Sequence, residues 1–212
     1  MRKVVRFLLW MAILIGALIG IARYTAIRWW QVPADDPYLE ASIAPTVRGG
    51  DWIILWRATA PDFADLVLCP EPDAPHRVVI GRIAGESGDK LKIQDGSVSV
   101  NNRSSSTERA CPDFTVVPPN GSRELQQRCD IEVLRGRSHM RGSISGQKNV
   151  PKPVERVVPE GKVFLLSDNR LFPYDSRDYG PVDRKTCKET VVFRLVSKAG
   201  FFDQESRFTL LR

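Results

Sequence analysis

From Phe7 to Ala22 the chain runs through sixteen apolar or glycine residues without interruption, and this run sets the environment of everything that follows it. With Val4, Val5 and a snorkelling Arg6, the run extends to about 28 Å of helix. That length matches a bilayer core of roughly 30 Å. Trp29 and Trp30 follow one to two turns later, at the level of an interfacial aromatic belt. A cleaved signal peptide with Gly20 and Ala22 as its small residues is the competing reading, although the run exceeds the roughly 7–15 residues usual there. Arg2, Lys3, Arg6 and the free amine outweigh Arg23 and Arg28, which predicts a cytoplasmic N-terminus and an extracytoplasmic remainder.

Length and charge narrow the remainder. The 212 residues hold one anchor (1–30) and a single globular domain (31–212) with one core of ordinary size. The formal charge of +6 is concentrated at the start, because residues 1–30 carry five basic and no acidic side chains. The rest has 26 basic against 25 acidic residues. A near-neutral domain behind a basic anchor points to an anionic lipid surface as the partner of that charge, and away from nucleic acid.

Beyond the anchor the pattern is that of short strands. Segments 51–57, 65–69, 77–84, 90–94, 97–101, 163–166 and 189–196 are rich in Val, Ile and Leu and bounded by Gly, Pro or Asp. Gly88-Asp89 and Asp95-Gly96 mark turns. Residues 102–157 shift toward Ser, Arg, Gln, Pro and Gly, which predicts an inserted lobe or loops. The four cysteines, Cys69, Cys111, Cys129 and Cys187, all lie where disulfides persist, and no C-x-x-C pair suggests zinc. Cys111 with Cys129 is the favoured bridge, with Cys69–Cys187 as a second, but spacing alone leaves the pairing open.

Ser167-Asp168-Asn169-Arg170 is followed by Tyr174-Asp175-Ser176-Arg177 and closed by Gly180. Upstream, Ser42-Ile43-Ala44-Pro45-Thr46 leads to Gly50-Asp51, and Ile80-Gly81-Arg82-Ile83-Ala84-Gly85 leads to Gly88-Asp89. Together these resemble the signature blocks of the type I signal peptidases, serine peptidase family S26. The plain reading of the last block is a tight polar turn after a buried strand, with Asp175 and Arg177 paired across it. The resemblance implies Ser42 as the nucleophile, with Ile43, Pro45, Asp168, Asn169, Arg170, Asp175, Ser176 and Arg177 binding substrate or supporting the site. It also implies a mainly β fold of two antiparallel sheets with a polar inserted lobe on one transmembrane helix. No metal or organic cofactor is implied.

One position departs from that pattern in a way chemistry cannot ignore. The gapless third block puts Gly81 where the family carries its lysine base, and a serine hydroxyl is a weak nucleophile until a base takes its proton. Glu40 stands where many members have an oxyanion-binding serine, Pro173 where a serine orients the lysine, and Ser167 replaces a glycine. His76 is a substitute base only if the register shifts by five residues, and Lys90 and Lys92 read as solvated strand-edge residues. His139 has no catalytic context in the sequence.

Two functions follow. The first is a membrane-bound serine endopeptidase of signal peptidase I type, removing signal peptides from exported proteins at the inner membrane with Ser42. The alternative is an inactive membrane-tethered relative that binds signal peptides or a partner peptidase. The sequence leaves the oligomeric state open.

Overall fold

The computed structural model describes residues 2–143 and 153–211. Part of the predicted insertion, residues 144–152, therefore lies outside the described residues. Helix α1 (Arg2–Thr25) has no buried residue and is long and apolar enough to cross a membrane. Strand β1 (Ile27–Gln31) begins two residues later. The Trp pair is thus not an extension of the helix: Trp29 and Trp30 lie in β1, and Trp30 packs against the core while Trp29 stays half exposed. The sheet starts inside the stretch predicted as interfacial because aromatic residues here meet a strand partner, Trp30 opposite Ile53.

Helix α2 (Pro37–Ile43) escaped the sequence reading, since seven residues carry too little periodicity. Its start is nevertheless written locally. Asp36 is the N-cap, accepting the amides of Tyr38 (3.1 Å) and Leu39 (3.0 Å), and Pro37 fills the first turn.

The other strands are β2 (Trp52–Trp56), β3 (Leu66–Pro70), β4 (Val78–Glu86), β5 (Lys90–Gln94), β6 (Ser97–Val100), β7 (Arg103–Ser104), β8 (Ser106–Val116), β9 (Leu125–Leu134), β10 (Arg137–Gly142), β11 (Val154–Val157), β12 (Lys162–Leu166), β13 (Val182–Asp183), β14 (Glu189–Val196) and β15 (Thr209–Leu210). The seven predicted strands are all present, β5 and β14 with the predicted bounds. The turn between β5 and β6 uses positive φ at Asp95 (50°) and Gly96 (75°), a tight hairpin geometry.

The architecture is mainly β and antiparallel, as expected, but it has three sheets. The largest runs β1-β2-β14-β3-β4-β12-β13 with β15 on β14; β10-β9-β8 and β11-β5-β6-β7 form the other two. The polar stretch thus supplies a sheet of its own, pinned by Cys111–Cys129, which face each other in the β8–β9 ladder with Cα atoms 5.0 Å apart. Cys69–Cys187 also forms, with Cα atoms 4.6 Å apart, tying β3 to the segment before β14.

Two cores lie on opposite faces of the large sheet. Leu39, Ile43, Ile53, Leu55, Leu66 and Ile80 bring α2 onto one of them. Val67, Val79, Ile83, Val163, Leu165 and Tyr179 fill the other around the Cys69–Cys187 bridge. β4 contributes to both by the two-residue alternation of a strand.

Candidate active site

The serine segment, the middle of β4 and the loop after β12 come together, as the three sequence blocks predict. The Asn169 amide donates to the Ser42 carbonyl at 2.9 Å, and the Asn169 side chain accepts the amides of Leu171 (3.0 Å) and Phe172 (3.2 Å) while donating to Gln127 (2.9 Å). Thr46 donates to Asp168 Oδ2 at 2.6 Å. Asp168 takes two further bonds from Arg82, both 2.8 Å. Asp175 accepts the Ser167 amide (2.9 Å) and both prongs of Arg177 (2.9 and 2.7 Å), and Ser176 Oγ accepts the Leu165 amide (2.9 Å). The pairing of Asp175 with Arg177 read from the sequence is therefore formed. Ile43 lies in the core below α2, and Pro45 lies at the rim of a groove of about 770 Å³ that runs under β8 and β9.

Arg170 is fully buried. It donates to the Ser167 carbonyl and to Glu132, two residues that otherwise have no reason to be near each other. Glu132 also accepts Ser105 Oγ at 2.6 Å, and His139 Nε2 lies 3.1 Å from its second oxygen and 4.0 Å from Asp168. The sequence shows no catalytic context for His139; in the structure the hairpin β9–β10 brings it and Glu132 into a buried ionic network. One signal was available: Glu132 interrupts the apolar run from Ile131 to Leu134, and a lone carboxylate there implies a buried partner.

Burial raises the pKa of Asp168, but the Arg82 guanidinium, its hydrogen bonds, His139 and Thr46 outweigh that and hold the carboxyl below its ordinary range. Glu132 is likewise pulled well down by Arg170 and its hydrogen bonds against the effect of burial. Asp175 is lowered by Arg177 and by backbone amides, again against burial. His139 goes the other way for a base: burial, then Arg82, lower its pKa and keep the imidazole neutral.

Ser42 itself is fully buried on α2, with Oγ donating to the Leu39 carbonyl at 3.0 Å. Its amide lies inside the helix, where it is committed to the carbonyl four residues back. A Cβ on Gly81 would stand 3.0 Å from Leu165 Cβ, on the face of β4 that carries Val79 and Ile83. Three tyrosines close over this face. Tyr38, one turn before Ser42, has its ring 5.6 Å from that of Tyr174, which meets Tyr179 edge-on at 5.5 Å. Tyr174 OH donates to Glu71 at 2.7 Å, and Arg77 bridges Glu71 and Asp36 at 3.4 Å each. Burial and the Glu71 hydrogen bond raise the Tyr174 phenol, and burial with Asp175 and Asp178 pushes Tyr179 well above the usual phenol range. Both therefore stay protonated near neutrality.

The other candidates have surroundings of their own. His76 is exposed in the turn between β3 and β4. Lys90 and Lys92 are on β5, with Lys92 paired to Glu155 at 3.3 Å. Glu40 pairs with Lys198 at 2.8 Å, and Pro173 sits in the loop before Tyr174. Among the described residues, no group of three or more His, Cys, Asp or Glu is arranged to hold a metal.

β3 covers Val78 to Arg82, but the β12 ladder reaches only from Glu86 to Arg82, so Val78–Gly81 has a strand neighbour on one side, with Val79, Ile80 and Gly81 buried. The described chain is thus a mainly antiparallel β protein behind one apolar helix, with the serine-bearing α2 and the Asp-Asn-Arg loop after β12 packed beside β4. Residues 4–196 match the signal peptidase, peptidase S26 model, and the chain belongs to that family.

Among curated relatives, signal peptidase I V of Bacillus subtilis (strain 168) is 31% identical over 121 residues, 57% of this chain and 58% of that one. A probable thylakoidal processing peptidase 2, chloroplastic, of Arabidopsis thaliana is 29% identical over 164 residues, 72% of this chain and 35% of that one. The matched region thus spans less than two thirds of either relative. A signal peptidase I of Enterococcus faecalis V583, solved by crystallography, superposes with a TM-score of 0.42 at 20% identity, covering 63% of this chain and 97% of that one.

Proposed function

We propose that the protein is a single-pass membrane protein, N-terminus in the cytoplasm, that binds the signal peptides of exported proteins on the outer side of the membrane without cutting them through a serine–lysine pair. The observation that carries this reading is the stretch Val78–Gly81 of β4, which has a ladder partner on one side only and ends on glycine at the position the resemblance assigns to the base. Ser42 Oγ is turned onto a backbone carbonyl, and the nearby phenols are held protonated, so neither takes a proton from it.

A second reading, hydrolysis of the signal peptide with Ser42 as nucleophile, is favoured by one feature. The serine segment keeps its docking to Asn169 and Asp168. Incubating the detergent-solubilised protein with a preprotein bearing a small-x-small site, beside Ser42→Ala, separates the two. Binding by both forms with no shortened product is expected. A product that disappears in Ser42→Ala would establish the peptidase and overturn the binding-only reading.

A further inference from the structure

Arg77 immediately precedes Val78–Gly81, the stretch of β4 that carries the proposed function, and it lies across a recess built from three separate segments. Asp36 comes from the cap of α2, Glu71 from the loop joining β3 to β4, and Tyr174 and Tyr179 from the loop between β12 and β13. Tyr38 closes the side, with its ring against that of Tyr174.

The recess has the chemistry of a cation site. The Arg77 guanidinium stands 5.6 Å from the centre of the Tyr174 ring, and its two terminal nitrogens meet Glu71 Oε2 and Asp36 Oδ2 at 3.4 Å each. Ring faces and carboxylates together are what a guanidinium or ammonium accepts in exchange for water. Tyr174 donates to Glu71 Oε1 and the amides of α2 donate to Asp36 Oδ1, so one oxygen of each carboxylate is fixed while the other faces the cation. One acceptor is unused. The Tyr179 hydroxyl is buried and has no hydrogen-bond partner among the described residues, and Tyr174 and Glu71 are among the groups whose charge it feels. A buried hydroxyl left unpaired carries a penalty that a donor entering the recess removes.

Arg77 is a loose occupant of this site. Its side chain is 41% exposed, and its contacts of 3.4 Å exceed the roughly 2.7–2.9 Å of a charge-assisted hydrogen bond. The charge around it is also unbalanced. Asp35 beside Asp36, and Asp73 in the same loop as Glu71, are exposed, which sets four carboxylates against one guanidinium. An extended peptide laid along β4 passes this net negative surface at one end.

We propose that the recess bounded by Tyr38, Tyr174, Tyr179, Glu71 and Asp36 receives a lysine or arginine side chain of the bound peptide, with Arg77 swinging out to solvent to admit it. The proposal deepens the peptide-binding reading and rests on it. Arg77 neutralises the carboxylates while the site is empty and competes with the peptide's cation when it arrives, so it sets specificity by opposing binding.

The test measures binding of the full chain in detergent, by fluorescence anisotropy, to labelled peptides that contain a small-x-small segment and carry lysine, glutamine or glutamate at successive positions on either side of it. At one position lysine should bind about fivefold tighter than glutamine, and glutamate weaker still, the scale of one half-exposed cation contact. Arg77→Ala should widen that preference by removing the competitor, and Glu71→Gln should erase it; Arg77→Gln takes the same role if the alanine variant does not fold. Equal binding of lysine and glutamine peptides at every position, or a lysine preference that shrinks in Arg77→Ala, overturns the proposal while peptide binding itself stands. Binding of no peptide removes the peptide reading, and the recess is then decided by thermal denaturation in millimolar ethylguanidinium. That probe should raise the melting temperature of Arg77→Ala and leave Arg77→Ala/Glu71→Gln unchanged. The same response in both variants overturns the cation site.

Discussion

Arg82 and Asp168 are joined by two parallel hydrogen bonds of 2.8 Å, Nε and Nη2 each meeting one carboxylate oxygen, with both side chains withdrawn from solvent. Asp168 also receives Thr46, so one carboxylate ties β4 to the serine segment. Removing it leaves a buried guanidinium facing a hole. Asp168→Ala is expected to cost about 3–5 kcal/mol, measured by urea denaturation, the scale for breaking a buried pair from one side. Asp168→Asn should cost less, because it keeps an acceptor for Arg82.

Acid should act in two stages. His139 has a folded pKa below its unfolded one, so the unfolded state binds the proton first, and stability present above about pH 6.5 is lost as pH falls below that value. Asp168, Glu132 and Asp175 are all depressed, so their contribution is complete above about pH 4 and is lost as pH falls further. The melting temperature followed from pH 8 to pH 3, assay limits chosen to span both stages at about 6.5 and 4, should therefore decline gently and then steeply. In His139→Gln the gentle stage should vanish while the steep one remains.

Gly81→Ala and Gly81→Lys both place a Cβ 3.0 Å from Leu165 Cβ, and overpacking of this kind typically costs about 1–3 kcal/mol. Thermal denaturation should show a similar loss for both. Only the lysine variant regains an amine where the family keeps its base, so it alone should produce a shortened preprotein, abolished by adding Ser42→Ala. A folded but silent Gly81→Lys would mean that position 81 is not the place of the base.

The two disulfides should differ in value because they close loops of different length. Cys69 and Cys187 are 118 residues apart and Cys111 and Cys129 are 18 apart. Loop closure assigns about 5 kcal/mol to the first and about 3 kcal/mol to the second. Urea unfolding of the double Cys→Ala variant of each pair should follow that order.

Asp36→Ala should weaken α2 by about 1 kcal/mol through loss of the cap, seen as faster amide exchange from Tyr38 to Ser42. It also removes one of the two carboxylates that hold Arg77.

Much of this protein was legible in its residues because the signals were local. An unbroken apolar run of membrane length wrote α1, and alternation bounded by turn residues wrote β5 and β14 to the residue. The spacing of Asn169, Asp175 and Arg177 identified a tight polar turn, since each of these bonds within a few residues of itself, whereas Asp168 reaches Thr46 and Arg82 far along the chain.

Other features were decided only by folding. Nothing near His139 or Glu132 in the chain announces Arg170 or Asp168, which lie about thirty to forty positions away and meet them only when β9 and β10 close over the loop after β12. The ring contacts of Tyr38 with Tyr174 and of Tyr174 with Tyr179 join α2 to a loop more than a hundred positions away. The sequence determined the membrane-length helix and the seven predicted strands because those choices depend on neighbours a few residues apart, while α2 and the sheet of the polar stretch were not legible in it. Which buried charges found partners depended on long-range contacts that only the tertiary structure could fix.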